Sequence, residues 1–178
     1  MDWNYQILFC IYADKQIRNV LELYCNIDIQ IKMKKLLIAY DGSDASKKAV
    51  EVGLKCSNKD DEIILLTVIP AELSESSFTK MLLPTIDLSS MVKSGSFKEK
   101  AMESLSEISD EIKSKINNVN ISVESGDPAD EILLSAKKHM VDIIVLGYKG
   151  YGKEGRFLLG SVTDKVVRYA GVSVLVAR

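Results

Sequence analysis

A chain of 178 residues is long enough for one sizeable core plus an appendage, because a domain takes roughly 100–200 residues. Its 23 Lys and Arg nearly balance 25 Asp and Glu, and no basic run interleaves with aromatics, which argues against a sequence-independent grip on nucleic acid. A single histidine, His139, excludes zinc sites built on several histidines, and Cys10, Cys25 and Cys56, widely spaced without a C-x-x-C, suit reduced thiols in a cytoplasm.

In chain order, residues 1–32 stand apart as an extension. From Leu21 to Ile31 every second residue is Leu, Cys or Ile, a strand with one wet face. Met33 then reads as a fresh beginning, so these residues are either an extra pairing arm or an upstream extension absent from the natural product. Asp2 and the short apolar run "ILFCIY" do not make an export signal, and no apolar run reaches the roughly 18 residues of a membrane span. A non-exported, cytoplasmic protein without a membrane partner is the expectation.

Four short, almost continuously apolar segments follow: "KKLLIAY" (34–40), "EIILLTVI" (62–69), "VDIIVLG" (141–147) and "VSVLVA" (172–177), with a weaker fifth, "NVNISVES", at 118–125. Runs of this length, rich in Ile, Val and Leu, are strands covered on both faces, as in a parallel sheet. Helical patterns separate them. Ser43 or Asp44 caps a helix running to Cys56. Phe97, Ala101, Leu105, Ile108, Ile112 and Ile116 recur at steps of four or three and form one core stripe. Asp127 with Pro128 opens a third helix, with His139 exposed near its end, and Ser161 or a neighbour opens a fourth running to Ala170. Residues 70–96 lack either period and read as a long loop, a lid or partner surface on one reading and slack on the other. Alternation of strand and helix from Lys34 onward predicts an α/β layer.

The chemistry lies in "GYKGYGKEGRFLLGSVTD", Gly147 to Asp164, which contains three overlapping phosphate-loop patterns. As G-x-G-x-x-G (Gly150, Gly152, Gly155) it follows the wrong strand, and Ala170 stands where a ribose-binding acid belongs. As a Walker-type loop ending at Gly160 it has Ser161 where lysine must meet the β and γ phosphates. As G-x2-G-x9-G-S (Gly147, Gly150, Gly160, Ser161) it works. Gly147 clears the strand end for a ligand, Gly150 lets the loop backbone approach phosphate, and Gly160 with Ser161 presents N–H groups and a hydroxyl at a helix N-terminus. If the first and fourth strands lie side by side, Asp41 faces Gly147 across a switch-point crevice. Asp41, Gly42 and Ser43 also suit a simple turn and cap, and Lys153, Glu154 and Arg156 read as a solvated loop.

With "KKLLIAYDGSDASKKAV", "GDPADEI", "VDIIVLGYKG" and "LLGSVTDKVVRYAGVSVLVAR", residues 33–178 resemble the universal stress protein family, and specifically its ATP-binding subgroup. The resemblance implies a Rossmann-like (HUP-type) α/β fold, a five-stranded parallel sheet of order 3-2-1-4-5 with helices on both faces. It also implies an adenine nucleotide, ATP or AMP, with or without Mg2+. Asp41 and the backbone of Val68 then meet adenine or ribose, Gly147 lies beside the ribose, and Gly150, Gly160, Ser161 and Val162 meet phosphates. Ala39 and Tyr40 flank the nucleotide from the first strand. For Lys149 a phosphate contact and a solvated side chain are both open.

The implied activity is that of a stress sensor or regulator with a protein partner not yet identified, at most a slow ATPase, since no histidine, Walker lysine or paired acids accompany Asp41. A pyrophosphatase-loop enzyme, from the faint likeness of "YDGSDAS" to S-G-G-x-D-S, and a nucleotide-free interaction module are the alternatives. The apolar last strand is expected at a sheet edge, pairing with its copy in a homodimer.

Overall fold

The computed structural model describes residues 34–71, 97–150 and 159–178. The extension, most of the 70–96 loop and residues 151–158 lie outside the described residues, and with them the expectations placed there.

Each apolar segment forms a strand: β1 (Lys35–Ala39), β2 (Glu62–Pro70), β3 (Asn118–Gly126), β4 (Ile143–Gly147) and β5 (Ser173–Ala177). They pair in parallel in the order β3-β2-β1-β4-β5, as expected. The weak fifth segment is thus an edge strand, and Val123 is its one buried residue. Pro70 belongs to β2, not to the loop; as the last residue of the strand it is where a missing N–H is tolerated.

Between the strands run α1 (Asp44–Lys55), α2 (Phe97–Lys113), α3 (Pro128–His139) and α4 (Ser161–Tyr169). Strand side chains alternate, so Leu36, Ile38, Ile63 and Leu65 pack under α1 and α2, with Leu105 and Ile112 of the predicted stripe. Leu37, Ile64, Leu66 and Ile144 pack the other way, under Ile132 and Ala136 of α3 and Val166 of α4. Both faces of the sheet are covered over β1, β2, β4 and β5, which carry no polar alternation, while β3 at the edge alternates and packs only its apolar face.

Ser43, not Asp44, caps α1, its Oγ accepting from the Ser46 N–H at 3.2 Å. At the end of α3, His139 is half-buried rather than exposed: Nδ1 lies 3.0 Å from the Ser135 carbonyl oxygen, one turn back, where the free carbonyls of a helix end attract a donor.

Asp127 caps α3 as expected and accepts from the Asp130 N–H at 3.0 Å; Lys165 of α4 lies 3.1 Å from Asp127 and 2.8 Å from Asp130. The Asp130 N–H first, and then Lys165, hold the Asp127 carboxyl below its ordinary range. The two aspartates raise the Lys165 ammonium in turn. A depressed carboxylate contributes stability that is present above its unfolded pKa of about 4 and is lost as pH falls through the lower folded value. Asp127→Asn keeps a good cap but removes the charge. The stability advantage of the parent over this variant should therefore shrink toward zero below about pH 4 in urea titrations. An advantage independent of pH would assign the effect to shape alone.

Candidate functional site

The order of build-up reverses between β1 and β4, so their carboxyl ends diverge into the crevice where open α/β sheets bind ligands. β1 ends at half-buried Ala39, followed by buried Tyr40. The Tyr40 ring belongs to the core under α1 and α2. Its N–H donates to the Leu66 carbonyl at 2.8 Å, and its carbonyl accepts from Thr67 Oγ1 at 2.7 Å. Structure already occupies this residue, while exposed Asp41 after it stands at the crevice.

One oxygen of Asp41 closes the predicted turn, Oδ1 accepting from the Ser43 N–H at 2.9 Å around Gly42 in the left-handed region at φ 88°. The other turns across the crevice: a methyl group on Gly150 would stand 2.7 Å from Asp41 Oδ2. Turn and site readings of Asp41 therefore coexist, one on each oxygen. Val68, on neighbouring β2, is half-buried.

Gly147 has a packing reason of its own, beside the role expected of it toward a ligand. A Cβ there would lie 2.6 Å from the Ala45 carbonyl carbon, 2.7 Å from its oxygen and 2.8 Å from its Cβ. The first turn of α1 packs onto the end of β4, so glycine is required by that approach, before any ligand is considered. The Gly147 carbonyl also accepts from Thr163 Oγ1 at 2.8 Å, and Thr163 is buried. This residue was missed in the sequence, because only the placement of α4 against β4 gives its hydroxyl a partner.

From Gly147 the chain passes through Tyr148, whose N–H donates to the Ala177 carbonyl and whose carbonyl accepts from the Gly160 N–H, both at 2.8 Å. The second bond brings the start of α4 against the glycine loop: a Cβ on Gly160 would lie 3.3 Å from Lys149 Cα and 3.7 Å from the Gly150 nitrogen. Gly160 is the N-cap of α4 and supplies no side-chain hydrogen bond; Ser161, exposed, and Val162, half-buried, form the first turn. The two helix N-termini beside this crevice differ, since Ser43 covers that of α1 and nothing from the cap residue covers that of α4. Partial positive charge is left at Gly160–Val162.

The structure thus gathers Asp41, Lys149, Gly150, Gly160, Ser161 and Val162 around the crevice, places Ala39 and Val68 on its strand side, and sets Tyr40 in the core. At the opposite end of the sheet an apolar hollow of about 460 Å³ is lined by Leu133, Met140, Val141, Tyr169 and Val172. It lacks the convergent polar groups of the crevice. Among the described residues no helix is long and apolar enough to cross a membrane.

A five-stranded parallel sheet of this order, layered by helices and open at the β1/β4 switch point, defines the protein as a Rossmann-like α/β protein. The model of the universal stress protein family matches residues 32–178, and the chain belongs to that family. It is 30% identical over 158 residues to universal stress protein MJ0577 of Methanocaldococcus jannaschii, covering 84% of this chain and 98% of that one. The solved structure of MJ0577 superposes with a TM-score of 0.60 at 28% identity, over 81% and 94% of the two chains. UspA of Lactobacillus plantarum shares the fold, with a TM-score of 0.66 at 22% identity over 84% and all of the chains. So does a universal stress protein solved in complex with cAMP, with a TM-score of 0.59 at 20% identity over 82% and 97%.

Proposed function

We propose that this chain is a cytoplasmic adenine-nucleotide-binding regulator of the stress response, holding ATP or AMP in the β1/β4 crevice, and that it acts as a homodimer. The observation that carries the reading is the docking of the Gly160-capped N-terminus of α4 on the Tyr148–Gly150 loop, opposite Asp41. The cap leaves the first-turn N–H groups to an anion, which is the chemistry of phosphate recognition. The relative solved with cAMP supports an adenine nucleotide as the ligand class. Asp41 and the Val68 backbone then take the nucleoside, and Gly150, Gly160, Ser161 and Val162 the phosphates, which would carry any Mg2+ with them. The pyrophosphatase-loop alternative has less support, because Asp41 stands where such a loop opens with serine, and Ser43, which stands at its second glycine, caps α1.

The test is to purify the chain without added nucleotide, denature it and identify the released small molecule by mass spectrometry. ATP, ADP or AMP released by the parent supports the reading. An empty protein that also ignores added ATP would hand the lead to a nucleotide-free interaction module.

The dimer is expected on the free edge of β5. Because the Ala177 carbonyl turns toward β4, Leu175 and Ser173 do likewise, and Val174 and Val176 turn their N–H and carbonyl groups outward. An antiparallel two-fold centred on Leu175 pairs all five residues of β5, with Val174 exchanging both bonds with the partner's Val176. Val174→Pro removes one outward donor without touching the β4 ladder, so it should shift light-scattering mass toward monomer while the circular dichroism spectrum stays unchanged. A parent of monomeric mass at micromolar concentration would refute the dimer.

A further inference from the structure

We propose that the apolar hollow at the amino end of the sheet is the docking site of this chain's own residues 21–33, seated there by the apolar face of that segment. Three of the four large hydrophobic side chains that stand exposed among the described residues gather at this hollow. Leu134, Met140 and Tyr169 are 59%, 77% and 69% exposed, and all three line it with Leu133, Val141 and Val172. Single apolar residues on a surface need no explanation, but a cluster around a concave apolar site marks a surface that is covered in the working protein.

The occupant follows from where the chain enters the fold. All five strands run parallel, so the residues before Lys34 leave the sheet at the end where the hollow opens. Beside that point Asp142 ties β1 to the start of β4: its N–H donates to the Lys35 carbonyl and its Oδ2 accepts from the Lys35 N–H, both at 2.8 Å. Val141, next to Asp142, is already wall of the hollow. From β1 across β4 to β5 is about 10 Å, while the stretch from Ile27 to Lys34 spans about 23 Å when extended, so the reach suffices.

The chemistry of the segment matches. From Leu21 to Met33 every second residue is Leu, Cys, Ile or Met, which gives an extended chain one apolar face, and the central strands of the sheet are already under helices on both sides. The charged alternates between Leu21 and Ile31 are Glu22 and Asp28, both acidic, whereas the last turn of α3 beside the hollow is basic, with Lys137 and Lys138. A segment tethered this close binds at high effective concentration, so a few apolar contacts are enough to hold it.

The experiment traps the docked segment by disulfide formation in the full chain, with Cys10, Cys25 and Cys56 replaced by alanine. M140C is combined in turn with I27C, I29C and I31C on the apolar face and with D28C and Q30C on the polar face, and products of mild oxidation are followed by mass spectrometry. A disulfide needs Cβ atoms about 3.5–4.5 Å apart, so its rate reports seating. At least one isoleucine position should close a bond within one chain about tenfold or more faster than either polar-face position, and faster by the same factor than it does with M102C on α2, which packs on the other side of the sheet. L134C, inside α3, repeats the measurement away from the left-handed backbone of Met140 at φ 52°. Equal rates on the two faces of the segment, equal rates toward M102C, or no trapping at either M140C or L134C would overturn the proposal. A product of twice the chain mass would overturn it too, by assigning the hollow to a second copy. None of these outcomes bears on the nucleotide reading, which concerns the other end of the sheet.

Discussion

Gly147→Val should destabilise the nucleotide-free protein by about 1–3 kcal/mol or more, the range for forcing extra atoms into a packed interior. The first atom added is already too close: a Cβ meets the Ala45 carbonyl carbon at 2.6 Å and oxygen at 2.7 Å. These are backbone atoms in the first turn of α1, which cannot rotate aside as a side chain can. Relief requires α1 to lift from β4, and α1 carries Ala49 and Val52 into the core. Gly150→Ala provides the contrast. Its Cβ meets the exposed Asp41 carboxylate at 2.7 Å, with the next contact at 3.9 Å. The carboxylate can swing away, so stability should change by no more than about 0.5 kcal/mol. Urea unfolding of both variants without nucleotide checks the pair. If Gly147→Val unfolds with the parent, the close approach of α1 to β4 is not what glycine serves.

Nucleotide affinity should respond in the opposite order, with Gly160 and Ser161 dominating. Ser161→Ala removes one hydroxyl donor to a charged phosphate, worth about 1.5–3 kcal/mol, or roughly tenfold to a hundredfold in dissociation constant. Since Ser161 is exposed in the first turn of α4, folding should be nearly unaffected. Gly160→Val should lose more, because its side chain enters the 3.3 Å space over Lys149 Cα and crowds the N–H groups left for phosphate. Gly160 has φ −71° and ψ 158°, which any residue adopts, so the loss should appear in binding far more than in backbone strain. Calorimetry with ATP decides. Unchanged affinity in Ser161→Ala would remove that hydroxyl from the site, and unchanged affinity in Gly160→Val would remove the helix N-terminus.

Most of the layered fold was legible because its strands are short apolar runs and its helices carry 3.6-residue stripes. Leu105, Ile112 and Ile116 were placed in the core from spacing alone, and they are buried. Local caps were legible where one residue type does the work, as with Asp127 before Pro128. His139 was misjudged because spacing locates a helix end without showing which side chain folds back onto its carbonyls. The strand order entered through the family pattern, since adjacency of β1 and β4 is a long-range fact that no local period encodes.

By itself the sequence determined the kind of each element among the described residues, the covered sheet and the G-x2-G-x9-G-S spacing, all of them local regularities of side-chain type. Tertiary structure alone decided what those residues touch. It separates Gly147, required where two backbones pack, from Gly150, which faces a carboxylate. It gives the Thr163 hydroxyl its carbonyl and draws Arg178 to Tyr148. The physical reason is that each of these contacts joins segments brought together by sheet pairing and core burial, and the cost of close packing falls on atoms distant in sequence.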